Sequence, residues 1–393
     1  MVNFQLLSVK WRNENYFIPI INVGAMGQLT PNENEKLVLW GLVRYPNHVD
    51  RKLADAIGIK MSTVTAIRNR LAGKRLFSTV RAPNMQRIGC ELMWIGLISL
   101  DPRASAEVGS KLKKAVAPIG GIVYALADQM HLVCFAYARS YSEAKDEQGE
   151  LQSRLLEAGI TQEEGSPLRS FIFPLANSRP GNFFDFSALL ASLFGFHRKD
   201  AISPGLPSIG PDYRPLKLSR IERKVFAGLI KNPTAMDIGT AKKIGVTRQS
   251  TTKIRRRLQS DGFVFRFRAP IIGSLGFDIL ALEHVAFSDN PAGRETKKAK
   301  SKAGGLDPSL IFDISDARER LALRLTCGFQ DANDSPNIRQ WYDEYGDRIE
   351  AEPERILFSL AGLQVVKDFD FIEVTERILK TNAERPGPAT SRP

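Results

Sequence analysis

LADAIGIKMSTVTAIRNRL, Leu53 to Leu71, and TAKKIGVTRQSTTKIRRRL, Thr240 to Leu258, are the stretches on which the reading of this chain turns. In the first, Leu53, Ala54 and Ile57 make a short apolar helical face that ends at Gly58. Val64, Ile67 and Leu71 then recur at the spacing of a buried helical stripe. The second repeats that stripe with Thr251, Ile254 and Leu258. It carries Thr247 at the N-cap position, where the first has Lys60, whose side chain offers no acceptor. A helix, a glycine turn and a helix that opens on small polar residues predict a helix-turn-helix.

Working outward, the two stretches belong to an internal repeat with an offset of 187. Gly41, Pro46, Gly58, Arg81-Ala82-Pro83 and Gly89 recur as Gly228, Pro233, Gly245, Arg268-Ala269-Pro270 and Gly276, with 19 identities over the 62 positions from residue 29 to 90. Average residue usage gives roughly four such matches by chance. Leu37, Val38, Leu42 and Val43 supply an earlier helix that stops before Pro46. After each third helix the chain alternates by twos up to Ala-Pro, which predicts a short hairpin as a wing. The later half of each unit matches at an offset of 185: FIFPLA against ILFSLA, and Phe184-Asp185-Phe186 against Phe369-Asp370-Phe371.

Between these landmarks lie strand-like ELMWIGLISL, a helix near Ala104 to Val116, strands GIVYALAD and HLVCFAYA, a helix from Ser142 to Ala158, the strand FIFPLA and a closing helix from Phe184. The order β-α-β-β-α-β predicts a ferredoxin-like module whose sheet has one helix-covered face and one open face. Copy two offers DILALEHVAF, PSLIFDISD, ERLALRLTC, a helix near Asn337 to Tyr345 and RILFSLAG, so the two modules could cover each other's open faces. The expected fold is α+β, a tandem repeat of winged helix-turn-helix and ferredoxin-like module. Its parts are an N-terminal segment (1–28), winged helices at 29–89 and 216–276, αβ modules at 90–197 and 277–380, a proline-rich linker (198–215) and a disordered tail (381–393).

Of the 393 residues, 43% are hydrophobic and 25% charged, which are globular values, but the formal net charge is +12. The charge is not spread evenly. Leu29 to Pro83 carries +6 and Leu216 to Pro270 carries +11, which leaves −5 for the remainder. Basic charge confined to two helix-turn-helix candidates points to a nucleic acid. No apolar run approaches the length of a membrane span, and a soluble, cytoplasmic, nucleoid-associated protein is expected. Cys90, Cys134 and Cys327 each sit in an apolar run and read as small buried hydrophobes, with neither a disulfide nor a metal site. The lysine run from Arg294 to Gly305 reads as a solvated segment, or alternatively as a second nucleic-acid contact.

Around the third helix of copy one, Ser62, Thr65, Ala66 and Asn69 lie opposite the buried stripe; in copy two the equivalents are Gln249, Thr252, Lys253 and Arg256. Arg68, Arg70, Arg255 and Arg257 flank those faces, where a helix in a groove meets phosphates. With Thr63, Arg248 and Ser250 in the first turns, and Arg81, Arg266 and Arg268 on the expected wings, these residues form the candidate DNA-binding set. The alternative is a solvated polar helix face.

The run from Leu29 to Gly89, with Leu53-Ala54, Gly58, Ser62-Thr63-Val64, Ile67 to Leu71, Pro83 and Ile88-Gly89, resembles the DNA-binding module of the Lrp/AsnC (feast/famine) transcription regulators. The resemblance implies a winged helix followed by a dimerising αβ module that often senses a small metabolite. Two units are fused here where family members usually have one. Gly120-Gly121 and Gly304-Gly305 are the candidates for a glycine-rich effector loop, with plain turns as the alternative. The expectation is a double-stranded DNA-binding regulator that acts as a single-chain pseudo-dimer and reads two unlike half-sites about one helical turn apart, with possible self-association through the αβ modules. The alternatives are a replication or plasmid initiator, a structural chromatin-like binder, and an enzyme, since some relatives of this architecture are haem-pathway decarboxylases. His48, His131, His197 and His284 are scattered and no P-loop, HExxH or GxGxxG spacing occurs, so the chain is expected not to be an enzyme and to carry no cofactor.

Overall fold

The computed structural model describes residues 6–11, 14–19, 31–103, 108–161, 168–196, 218–288, 307–328, 349–350 and 352–384. The linker at 198–215, the lysine run at 294–305, the helix expected near Asn337 to Tyr345 and the glycine pair Gly304-Gly305 lie outside the described residues.

A hairpin of β1 (Leu6–Trp11) and β2 (Glu14–Pro19) precedes the first helix-turn-helix. That unit is α1 (Glu33–Arg44), α2 (Asp50–Ile57) and α3 (Met61–Gly73). α1 begins at a capping box in which the Asn32 side chain accepts from the Glu35 amide and Glu35 accepts from the Asn32 amide. Gly58 ends α2 at φ 78°, a left-handed conformation that favours glycine. Gly41 is required for a different reason: a Cβ there would lie 2.8 Å from Ile57 Cγ2, so α1 and α2 cross too closely for alanine.

Copy one continues with β3 (Phe77–Pro83), the short α4 (Met85–Ile88), β4 (Leu92–Ser99), α5 (Val108–Val116), β5 (Ile122–Ala127), β6 (His131–Ala138), α6 (Tyr141–Glu157) and β7 (Arg169–Pro174). It closes with β8 (Arg179–Phe183) and α7 (Ser187–Leu193). Copy two repeats the helix-turn-helix as α8 (Arg220–Lys231), α9 (Asp237–Ile244) and α10 (Arg248–Ser260). Then come β9 (Val264–Pro270), β10 (Ile279–Ala286), β11 (Leu310–Ser315), β12 (Glu319–Thr326), β13 (Glu354–Ser359), β14 (Gln364–Lys367) and α11 (Ile372–Glu384). α11 runs to Glu384, beyond the point where the tail was expected to lose structure; residues 385–393 lie outside the described residues.

The sheets have the orders β14-β5-β6-β4-β7 and β13-β10-β12-β11-β8. Within each, the four strands of its own copy stand in ferredoxin-like order, and the fifth comes from the other copy. β8 and β14 are equivalents in the 185-residue repeat, so the copies exchange the same strand and each covers an edge of its partner's sheet.

Strand β6 shows why these segments read as continuous apolar runs. Val133, Phe135 and Tyr137 face the opposite sheet, while Leu132, Cys134 and Ala136 face the helices, so both faces are buried. The open faces do cover each other: Phe135 and Phe312 approach to 5.0 Å between ring centroids, and Tyr124 stacks on Phe369 at 4.0 Å. The repeated Phe-Asp-Phe motif builds this seam. Phe184 and Phe369 adopt positive φ of 51° and 32°, unfavourable for a bulky residue, and are held there by burial among the aromatic rings. Asp185 and Asp370 accept the amides of Ser187 and Ile372 at 2.8 and 2.9 Å, starting α7 and α11.

Two expectations need correction. No wing hairpin forms within either copy among the described residues; β3 and β9 instead pair antiparallel with each other. The register runs from Phe77↔Pro270 through Val80↔Phe267 to Pro83↔Val264, symmetric about a pseudo-dyad, so each strand finds its hydrogen-bonding edge in the equivalent strand of the other copy. Cys327 is exposed just beyond β12, whereas Cys90 and Cys134 are buried as expected. The sheet faces turned away from the seam also differ between the copies. Copy one has Gly96, Leu132 and Ala136 where copy two has Glu283, Arg320 and Arg324. Glu283, 2% exposed, lies 3.5 Å from each of those arginines and 3.0 Å from Arg355. Burial pushes the Glu283 carboxyl up, but the three guanidiniums overcome that and leave it below the usual carboxylate range.

Candidate nucleic-acid interface

Each helix-turn-helix is locked by one acidic residue at the start of its second helix. Asp50 accepts from Thr65 Oγ1 at 2.6 Å and from Arg68 Nη1 at 2.5 Å on α3. Asp237 accepts from Thr252 Oγ1 at 2.8 Å and from Arg255 Nε at 2.7 Å on α10. Burial raises the Asp237 pKa, but the bonds from Arg255 and Thr252 outweigh it and hold the group below its ordinary value. A second tie runs to the first helix, with Arg70 reaching Glu35 at 2.8 Å and Arg257 reaching Glu222 at 2.5 Å. Both glutamates also complete capping boxes, so one carboxylate starts a helix and holds the third helix against it.

The four flanking arginines are thereby each paired with a carboxylate, Arg68 and Arg255 half-buried and Arg70 and Arg257 exposed. Thr65 and Thr252, expected on the groove face, donate to the same aspartates and are half-buried. The sequence carried a signal for this. Glu35, Asp50, Thr65, Arg68 and Arg70 all match identical residues in copy two, whereas Met61, Ser62, Ala66 and Asn69 face Arg248, Gln249, Lys253 and Arg256. Residues that hold the motif together are retained in both copies, and those free to face a ligand have diverged.

The residues left facing solvent differ sharply between the heads. On α3 these are Met61, Ser62, Ala66 and Asn69, with Thr63 half-buried and Arg70 exposed but paired. On α10 they are Arg248, Gln249, Ser250, Lys253 and Arg256, with Arg257 exposed but paired. Arg248, Gln249, Thr252, Lys253 and Arg256 line one shallow concavity. Thr247 caps α10 by accepting from the Ser250 amide at 3.2 Å, and Lys60 makes no side-chain cap on α3.

Arg81, Arg266 and Arg268 do not face a groove. Arg81 and Arg268 are 4% and 9% exposed. Arg268 Nη1 donates to the Leu42 carbonyl of α1 at 2.7 Å, across the two copies and near a helix C-terminus, where a cation is favoured. Arg81 Nη2 donates to the Ala235 carbonyl of copy two at 3.4 Å, and the half-buried Arg266 donates to Pro233. Burial, with Arg266 next, pulls both Arg81 and Arg268 down to about 10, still charged at neutral pH. The sequence pattern of a basic wing therefore belongs to the seam that fixes one head against the other.

Two histidines stand at the seam between the sheets. His284 lies 2.9 Å from Glu319 with its ring 4.5 Å from Phe171, and His131 lies 3.7 Å from Asp128 with its ring 5.6 Å from Phe358. Of the glycine pairs considered for an effector loop, Gly121 packs under the buried Glu147 carboxylate, which accepts from Trp94 at 3.2 Å and Arg377 at 2.7 Å. That contact ties the α6 helix of copy one to α11 of copy two.

No protein-family model and no curated protein matches the chain. Solved structures do. The siroheme decarboxylase NirDL is 10% identical, aligned over 90% of this chain and 100% of its own, with a TM-score of 0.45. AsnC of E. coli is 14% identical over 36% of this chain and 93% of its own, TM-score 0.27. The leucine response regulatory protein LrpA of Mycobacterium tuberculosis is 17% identical over 36% and 92%, TM-score 0.27. The expectation that the chain is not an enzyme is withdrawn on the first of these, a structure of an enzyme aligned over 90% of this chain. The chain's own architecture is a helix-turn-helix joined to a ferredoxin-like module, present twice.

Proposed function

We propose that the chain binds double-stranded DNA as a transcription regulator, one chain presenting two helix-turn-helix heads as a pseudo-dimer. The observation that carries this reading is the solvent face of α10. Arg248, Lys253 and Arg256 stand there with no carboxylate partner among the described residues, while the neighbouring arginines of the motif are all paired. Exposed, unpaired cations on a recognition helix are what neutralises phosphates and reads guanine edges. The αβ core is coupled to the heads, with α7 packed on α1 and α11 packed on α8, so a small metabolite bound to the core would act on the DNA through those helices.

The test is a titration of fluorescently labelled duplex DNA with the full chain and with a variant carrying Arg248→Ala, Lys253→Ala and Arg256→Ala. The wild type should bind and the variant should bind more weakly. Equal affinity of the two, or no binding by the wild type, defeats the proposal.

A second reading rests on the His284–Glu319 and His131–Asp128 pairs, which place groups able to move protons at the seam between the sheets. Given the likeness to a siroheme decarboxylase, the reaction to test is decarboxylation of a carboxylated tetrapyrrole. An absorption band from bound tetrapyrrole and loss of carboxylate in product analysis support it; the absence of both removes it.

A further inference from the structure

The two recognition faces differ in chemistry as well as in charge. At the equivalent solvent-facing positions α3 presents Met61, Ser62, Ala66 and Asn69, and α10 presents Arg248, Gln249, Lys253 and Arg256. Met61 is 53% exposed, an apolar side chain held in water at the start of a recognition helix. Asn69 is also positioned by its neighbours. Asp50 grips Arg68, and Arg68 Nη2 donates to Asn69 Oδ1 at 3.3 Å, which sets the amide's orientation on the exposed face. In copy two the corresponding arginine, Arg255, spends its second contact on Gln259 at 2.7 Å, leaving Arg256 without that restraint.

Base edges in the major groove discriminate between such sets. Adenine offers an acceptor at N7 beside a donor at N6, which a side-chain amide matches bidentately and a guanidinium cannot, because it would set donor against donor. The thymine methyl favours apolar contact of the kind Met61 and Ala66 provide. Guanine offers two acceptors, O6 and N7, which match Arg248, Lys253 and Arg256; Gln249 alone of the α10 set matches adenine, so three of its four residues favour G·C. The β3–β9 pairing holds one head of each kind about a single pseudo-dyad.

Resting on the DNA-binding reading, we propose that α3 reads an A·T-rich half-site and α10 a G·C-rich half-site, so that a single chain binds a directional, compositionally split sequence. The experiment is selection of duplexes from a random pool by the full chain, followed by binding measurements on the enriched sequence. The result expected is one A·T-rich and one G·C-rich half-site about one helical turn apart. Exchanging the base composition of either half should weaken binding roughly tenfold or more per contacted base pair.

Because the exchanged residues are exposed, both faces can be rebuilt. The variant Met61→Arg, Ala66→Lys, Asn69→Arg should convert the A·T-rich half to G·C-rich, and the variant Arg248→Met, Lys253→Ala, Arg256→Asn should do the reverse to the other half. Enrichment of two halves of the same composition, or binding that persists with unchanged half-site preference in both variants, overturns the inference alone. A chain that enriches no duplex overturns the DNA-binding reading and this inference with it.

Discussion

Replacing Arg248, Lys253 and Arg256 together by alanine removes three cations from α10 while leaving the Asp237–Thr252–Arg255 lock and the Arg257–Glu222 pair intact. Each phosphate neutralised contributes a slope of about −0.9 to log affinity against log salt, so three cations that offset phosphate charge from within the groove, even while meeting base edges, account for a slope change of up to roughly 2.7. Between 50 and 200 mM salt the wild type should accordingly lose up to about 40-fold more affinity than the variant. The same measurement on Arg68→Ala, Arg70→Ala should change the slope by less than one, because both side chains are already paired with Asp50 and Glu35. Fluorescence anisotropy on one duplex across a salt series reads both. A triple variant whose slope matches the wild type's, or a double variant whose slope falls as far as the triple's, refutes the assignment of DNA contact to these three residues. Surface substitutions of this kind usually change stability within about 0.5 kcal/mol, so unfolding does not stand in for the effect.

The remaining expectations concern stability and acidity. Gly41→Ala inserts a methyl 2.8 Å from Ile57 Cγ2 and should destabilise the chain in urea by about 1–2 kcal/mol, since overpacking outweighs the gain in helix propensity. Gly239→Ala meets only Ala235 Cβ at 3.9 Å within α9 and should stabilise by up to ~1 kcal/mol; a reversed order of the two would contradict the close α1–α2 crossing. Arg268→Ala leaves the Leu42 carbonyl without its donor and should cost about 3 kcal/mol while leaving the salt slope of DNA binding untouched; a changed slope with unchanged stability would return Arg268 to the DNA surface. Asp237 and Glu222 both have folded pKa values below their ordinary ones, so the stability they contribute is whole above the usual carboxylate range and is lost as pH falls through the lower folded values. Asp237→Asn should flatten that acid limb in denaturation curves taken from pH 6 to pH 3, and parallel curves would remove Asp237 as a lock.

Much of the fold was legible because the repeat allows each copy to be read against the other. The apolar stripe Val64, Ile67, Leu71 and its counterpart Thr251, Ile254, Leu258, the left-handed glycines Gly58 and Gly245, and the order β-α-β-β-α-β all follow from local spacing and turn chemistry. The buried ionic cluster at Glu283 was not legible, because ERLALRLT alternates like a strand with a solvated face. Only the packing around that face puts Arg320 and Arg324 out of water. The placement of the candidate residues was legible only in part. Helical periodicity places Lys253, Arg256, Ser62 and Asn69 on the outer face, but the direction of an arginine at the flank depends on a carboxylate far away in sequence, as with Arg68 and Asp50, 18 residues apart.

The sequence by itself determined the repeat, the two helix-turn-helix units, the ferredoxin-like strand order and the excess of positive charge in copy two, because each is carried by residues close together in the chain or by comparison of one copy with the other. Only the tertiary structure decided that β3 pairs with β9, that β8 and β14 change sheets, and that Arg81 and Arg268 are buried at the resulting seam. The physical reason is that a strand edge accepts any partner with matching hydrogen-bonding groups. The choice is made by which apolar faces must be covered, and that depends on residues from both copies at once.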